Sequence, residues 1–198
     1  MTGALRGKNA KSGHNPEWHW LYAYQFLWEY DKAIQSYRKS VEAQPNLIEG
    51  HHNLGTLHLL QGKIDQAITA YKGVIHFKPE LATAYVDLGR AYGMSGQLDQ
   101  AIEQFKIALN LDSNLLEAHY AIGVSYRHQG MFNMATESLE KVIAQKPNFA
   151  EAYLNLGYAY RGQDKLTEAI DTFYTGSQIA PNNYQICHEL GITYMKHH

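Results

Sequence analysis

Apolar residues along this chain recur at helical spacing. In the block that starts at Ala82, Tyr85, Leu88, Gly89 and Tyr92 fall at i, i+3, i+4 and i+7, one face of a helix. Gly93, Ser95 and Gly96 then interrupt the pattern, as turn residues do. A second helix is predicted beyond them, with Ala101, Phe105 and Ala108 on its inner face, ending near Asp112-Ser113. The whole motif then returns. Gly55, Gly89, Gly123, Gly157 and Gly191 are each 34 residues apart, and so are Ala33, Ala67, Ala101, Ala135 and Ala169. Tyr37, Tyr71, Phe105, Leu139 and Phe173 keep the same step, as do Tyr92, Tyr126, Tyr160 and Tyr194. Pro45, Pro79, Pro147 and Pro181 share one register, with Ser113 at the vacant site. Independent residue classes in one register define a structural repeat.

The predicted unit is an antiparallel helix pair. Gly89 and Ala101 are read as a close approach of its two helices, with Tyr92 and Phe105 filling the adjacent space. One pair cannot bury its own apolar faces, so the units must stack into a solenoid.

These residues resemble the tetratricopeptide repeat (TPR) family. The resemblance lies in Leu54-Gly55, Leu88-Gly89, Ile122-Gly123, Leu156-Gly157 and Leu190-Gly191, the tyrosines downstream, and the alanine, aromatic and proline spacing. It covers residues 14–198, with repeats at 14–47, 48–81, 82–115, 116–149 and 150–183 and a partial sixth at 184–198. It implies an all-α, right-handed superhelical solenoid of antiparallel helix pairs, five repeats plus one extra helix. The RNA-reading pentatricopeptide repeat fits poorly, because the chain is not basic and its Leu-Gly and Pro positions follow the TPR pattern.

Both ends depart from the pattern. Trp20-Leu21 stands where Leu-Gly is expected, in an aromatic-rich stretch from Trp18 to Tyr30. Tyr30-Asp31-Lys32-Ala33-Ile34 then enters a second helix in repeat register, so repeat one is expected to be a helix pair as well. Its first helix turns Trp20, Tyr24, Leu27 and Trp28 toward repeat two and leaves Trp18, Tyr22, Phe26 and Tyr30 as a second stripe. That stripe is expected to bury itself against another copy or a partner. Residues 1–13 are polar and glycine-containing, a flexible N-terminal segment with no apolar stretch behind the early basic residues. At the other end Ile186, Leu190 and Tyr194 are read as core residues without a partner helix, which suggests a truncated array.

Composition narrows the functional classes. Of 198 residues 17 are Lys or Arg and 19 Asp or Glu, a net charge of −2 that gives no electrostatic reason to expect nucleic acid. Hydrophobic residues make up 45% and charged ones 18%, so a disordered chain is excluded. No apolar run reaches the roughly 18 residues of a membrane span, so no direct membrane insertion is expected. Cys187 is the single cysteine, which excludes an intrachain disulfide and fits a reducing, cytoplasmic setting.

No phosphate-binding loop, nucleophile elbow, zinc-protease motif or dinucleotide fingerprint occurs, so neither catalysis nor a cofactor is expected. Among the 11 histidines, His51, His52 and His58 invite a metal reading. However, His51 stands at the repeat position of Tyr85, His119 and Tyr153, and His58 at that of Tyr92, Tyr126 and Tyr160. Packing explains both, and no carboxylate or cysteine completes a ligand set. Cys187 is the counterpart of Tyr153, a helix-face position rather than a catalytic thiol.

The TPR resemblance implies that the first helix of each pair lines a concave groove and supplies the ligand contacts. Carried residue by residue, its fifth, ninth and twelfth positions give Val86, Arg90 and Gly93, then Tyr120, Val124 and Arg127, then Leu154, Tyr158 and Arg161. Its sixth gives Asn53, Asp87, Ala121 and Asn155. Arginine forks onto carboxylates, asparagine pairs with peptide backbone, and tyrosine and leucine supply apolar pockets. Glu49, Glu117 and Glu151, at the second position, partly offset the positive charge. The chaperone-type carboxylate clamp of the family is not matched, since repeat two has His52 and Thr56 and repeat three has Asp87. The expected function is a non-enzymatic scaffold that holds a peptide or partner protein in the groove. The alternatives are a homo-oligomeric scaffold assembled through the aromatic N-terminal helix, or the TPR region of a larger transferase, for Asn53 and Asn155 resemble part of the asparagine ladder of O-GlcNAc transferase.

Overall fold

A computed structural model describes the backbone of residues 16–197 and the side chains from residue 29 onward. These residues form ten helices: α1 (Pro16–Ala43), α2 (Ile48–Leu60), α3 (Ile64–Phe77), α4 (Ala82–Met94), α5 (Leu98–Leu111), α6 (Leu116–His128), α7 (Phe132–Gln145), α8 (Ala150–Gly162), α9 (Leu166–Ile179) and α10 (Tyr184–His197). From α2 onward each helix packs antiparallel on the next, and the pairs stack into a right-handed superhelical solenoid. The first helices of successive pairs also touch, α4 against α6 and α6 against α8, with no comparable contact between second helices. The even-numbered helices therefore line the inner wall.

One turn repeats along the array. Gly62, Gly96 and Gly130 take left-handed φ values of 70°, 78° and 74°, and Asp164 takes 62°. After each, an amide donates five residues back to close the helix: Lys63 to His58, Gln97 to Tyr92, Met131 to Tyr126 and Lys165 to Tyr160. Glycine meets this φ without strain, and aspartate is among the few side chains that tolerate it.

Repeat one breaks this rule and corrects the expectation of a helix pair at 14–47. Trp28 stands at the register of Gly62, Gly96, Gly130 and Asp164. A bulky side chain resists the left-handed conformation, and α1 continues without interruption from Pro16 to Ala43. The C-terminal part of α1 acts as the second helix of a repeat, with Ile34 buried against Leu54 and Ala70 and flanked by Tyr37 and Val41.

The glycines of the Leu-Gly pairs are close-approach positions, although their partner is not Ala101. A Cβ on Gly89 would lie 2.5 Å from the Phe105 ring, on Gly157 2.5 Å from Phe173, and on Gly123 2.8 Å from Leu139. Ala101 instead faces Gly93, where an added Cβ would lie 4.0 Å from the Ala101 Cβ. Ala101, Phe105, Leu139 and Phe173 are almost fully buried.

A second recurring bond staples each pair to the preceding turn. The ring hydroxyl of Tyr85 donates to the Pro79 carbonyl at 2.9 Å and that of Tyr153 to Pro147 at 3.0 Å. His119 makes the same contact with the Ser113 carbonyl at 2.9 Å, and His51 with Pro45 at 2.8 Å. A carbonyl only accepts, so Nε2 carries the proton in both histidines. The thiol of Cys187 reaches the Pro181 carbonyl at 4.0 Å.

In α10 Ile186 is fully buried, Leu190 half-buried and Tyr194 43% exposed, while Thr193 is fully buried. Tyr194 is therefore no core residue. Its counterpart Tyr92 packs with Ala101, Ile102 and Phe105 of α5, and no such helix follows α10 among the described residues.

His58 is the strained member of its set. Its counterpart Tyr160 donates to Glu140 Oε1 at 2.7 Å, but the residue three repeats before Glu140 is Arg38. His58 is 4% exposed and its buried Nδ1 has no hydrogen-bond partner among the described residues. Burial, then Arg38 and Lys63, hold its pKa below the ordinary value of 6.5. This stability is present above pH 6.5 and is lost as pH falls toward the lower folded value, because the unfolded chain takes up the proton first. His58→Tyr restores the repeat residue at the edge of a cleft that Arg38, Val41 and Leu54 also line. The variant is expected to gain about 0.5–2 kcal/mol and to lose this acid sensitivity. Thermal melts on either side of the ordinary value of 6.5, at about pH 7.5 and about pH 5.5, check it; equal destabilisation of both proteins on acidification would contradict the assignment.

Candidate functional site

The inner wall is built from one face of α4, α6, α8 and α10, and polar side chains cross between neighbouring helices at regular repeat offsets. Asn155, 8% exposed on α8, is the hub. Its Oδ1 accepts from Arg127 Nε of α6 at 3.1 Å, and its Nδ2 donates to the Tyr120 hydroxyl at 3.1 Å. The same Nδ2 donates to the Glu151 carbonyl at 2.8 Å, so the buried amide is satisfied on both ends. The Tyr120 ring lies 4.9 Å from that of Phe149.

Tyr158 stands between two guanidiniums. Those of Arg127 and Arg161 each lie 5.2 Å from its ring centroid, within cation–π range. Beneath it, Phe173 presents an edge-on contact at 5.7 Å. The Tyr158 hydroxyl accepts from Gln185 Nε2 of α10 at 3.2 Å. Arg161 Nη1 donates to Glu189 Oε2 at 2.7 Å, and both side chains are largely shielded. Burial raises the phenol pKa of both Tyr120 and Tyr158, so these rings remain neutral donors and acceptors at ordinary pH.

The α2/α4 seam carries a different pair. His52 Nε2 lies 3.1 Å from Asp87 Oδ2, and Arg90 approaches Asp87 at 3.8 Å. Burial raises the Asp87 pKa, an effect that His52 and Arg90 oppose. At the α4/α6 seam Gly93 and Ala121 hold the positions of Arg127 and Asn155, and no side-chain hydrogen bond crosses it among the described residues.

Tyr120, Arg127, Asn155, Tyr158 and Arg161 thus form one connected surface, with half-buried Val124 near it in sequence on α6. Asp87 and Arg90 form a separate cluster, and Asn53 is half-buried on α2. Leu154 is 8% exposed and packs with Ala150, Phe173 and Ile186, so it serves the core rather than the groove surface. Trp18, Tyr22 and Phe26 lie outside the described side chains; Tyr30 is half-buried. Sequence reasoning missed Glu189, Gln185 and Phe149, and read His52 only as a metal candidate and as a departure from the clamp. Glu189 was accessible by register, since Asn53, Asp87, Ala121, Asn155 and Glu189 are successive residues of one series.

A solenoid with a polar and aromatic inner wall defines the class of helical-repeat interaction scaffolds. Family models described as TPR repeat match residues 57–96, 94–130 and 124–164, and those described as tetratricopeptide repeat match 21–47 and 150–183. The chain belongs to the tetratricopeptide repeat family. The crystal structure of MamA shares 30% identity and a TM-score of 0.73, covering 81% of this chain and 94% of that one. YrrB, described as a TPR protein with an unusual peptide-binding site, shares 20% identity and a TM-score of 0.70 over 83% of this chain and 84% of its own. TTC0263, a thermophilic TPR protein of Thermus thermophilus, shares 22% identity and a TM-score of 0.67, covering 88% and 94%. No curated protein sequence matches. No helix among the described residues is long and apolar enough to cross a membrane.

Proposed function

We propose that the chain binds an extended peptide segment of a partner protein along its inner wall, without catalysing a reaction. The observation that carries this reading is Tyr158 held between Arg127 and Arg161, at 5.2 Å from each, on a wall where Asn155 already fixes Arg127 and Tyr120. Such a surface is pre-organised, so little side-chain entropy is lost when a ligand settles on it. Half-buried Tyr120 and Tyr158 offer apolar area together with hydroxyls, a combination common at binding hot spots.

The test is Arg127→Glu/Arg161→Glu, two reversals on the inner wall. Partner capture from cell extract should fall by at least about tenfold, since charge-assisted contacts contribute about 1.5–3 kcal/mol each. Circular dichroism should show the helical array retained. Undiminished capture by the folded double variant would rule out the groove.

A further inference from the structure

The charges along the inner wall are unequal. At the α2/α4 seam Asp87 sits beside His52 and Arg90, at 3.1 and 3.8 Å. At the α8/α10 seam Arg161 is paired with Glu189 at 2.7 Å. Arg127, between them, is different. Its Nε donates to the Asn155 amide at 3.1 Å, its Nη2 donates to His128 Nε2 at 2.9 Å, and its guanidinium covers Tyr158. All three partners are neutral groups, and no carboxylate pairs with Arg127 among the described residues.

We propose that Arg127 reads a single carboxylate on the bound peptide, next to an apolar residue that packs against Tyr120, Phe149 or Tyr158; this rests on the groove reading above. A partly desolvated guanidinium without a counter-charge gains more from an arriving anion than one already paired. Nη1 of Arg127 has no partner among the described residues, and Arg offers several N–H donors to a carboxylate. Burial lowers the Arg127 pKa, and the groups that oppose this are the phenols of Tyr158 and Tyr120 rather than a carboxylate. A dianion such as a phosphate is disfavoured. The adjacent arginine is committed to Glu189, and Glu151 is near enough to Tyr120 to raise its pKa. One cation suits one carboxylate.

The carboxylate could belong to an Asp or Glu side chain or to a peptide C-terminus. The probe is a positional-scanning library of octapeptides, one position fixed and the rest randomised, made with free and with amidated C-termini. Immobilised wild-type chain is expected to enrich the Asp and Glu pools about tenfold or more over Asn and Gln. Retention of that preference in the amidated set identifies a side chain, and its restriction to the free set identifies the terminus. Arg127→Gln should abolish the preference, and Arg127→Glu should shift enrichment to Lys and Arg pools. Acid preference that persists in folded Arg127→Gln overturns the proposal. Peptides captured without regard to charge, yet lost in Tyr158→Ala, overturn the acid reading and leave the groove standing. Peptides captured equally by wild type and by both Tyr158→Ala and the double reversal overturn the groove itself, and this proposal with it.

Discussion

Leucine at Gly157 is expected to destabilise the array more than any single change on the groove surface. A Cβ there would lie 2.5, 2.7 and 2.7 Å from three atoms of the Phe173 ring, and that ring is fully buried. The flat, enclosed ring has no vacant space to move into, so overpacking costs about 1–3 kcal/mol or more. Alanine should already show part of the loss. At Gly123 the same Cβ meets Leu139 at 2.8 and 3.1 Å, and a leucine can change rotamer, so Gly123→Leu should cost less. Gly191 holds the same repeat position with nothing within 4 Å. Gly191→Ala should therefore be stabilising, by up to about 1 kcal/mol from helix propensity alone. Urea denaturation of the four variants measures the series. A uniform effect at Gly157 and Gly191 would show that the close approach to Phe173 does not set the cost. Stability in a solenoid is nearly a sum over neighbouring units, so the damage should remain local.

The contrast between those glycines shows what a sequence can and cannot convey. The period of 34 residues and the helical spacing within it made the helix pair and the stacking legible, because every unit must solve the same packing problem, while the family resemblance implied which helices face inward. The same register explained His51, His119 and Cys187 as substitutes for the stapling tyrosines Tyr85 and Tyr153. What it obscured was local. Ala33 and Tyr37 stand in perfect register, yet the preceding turn depends on one left-handed residue, and Trp28 occupies it. Repeat spacing identifies which helices meet, whereas a turn depends on a single backbone angle.

The site divides in the same way. Arg127, Asn155, Tyr158 and Arg161 were reachable by position on the inner helices, and Tyr120 joins them through Asn155. The same rule points to Leu154 as a groove residue, but it lies instead against Phe173 and Ile186. Position on a helix gives a direction, while burial depends on the size of the neighbours. The pairing of Arg161 with Glu189, and hence the isolation of Arg127, depends on a contact between residues 28 apart, which no single repeat contains.

Phe173 connects the core to this surface, and its removal is expected to affect both. The ring is fully buried beneath Gly157 and supports Tyr158 edge-on at 5.7 Å, with the Arg161 guanidinium 5.9 Å from its centroid. Phe173→Ala removes a large buried side chain and leaves a cavity, a loss of about 3–5 kcal/mol. Phe173→Leu is the more informative variant, because it keeps most of the volume and should cost less than about 1.5 kcal/mol. It nevertheless removes the aromatic edge from Tyr158 and the ring face from Arg161. With Tyr158 less constrained, the two guanidiniums lose their common support and the pre-organisation of the wall declines. Peptide affinity is therefore expected to fall several-fold in Phe173→Leu while helicity and the melting transition stay near those of the wild type. Titration of library-selected peptides into both proteins, at a temperature well below either transition, measures this. If the leucine variant binds as tightly as the wild type, the groove does not depend on the ring beneath it, and Arg127 and Asn155 alone set its geometry.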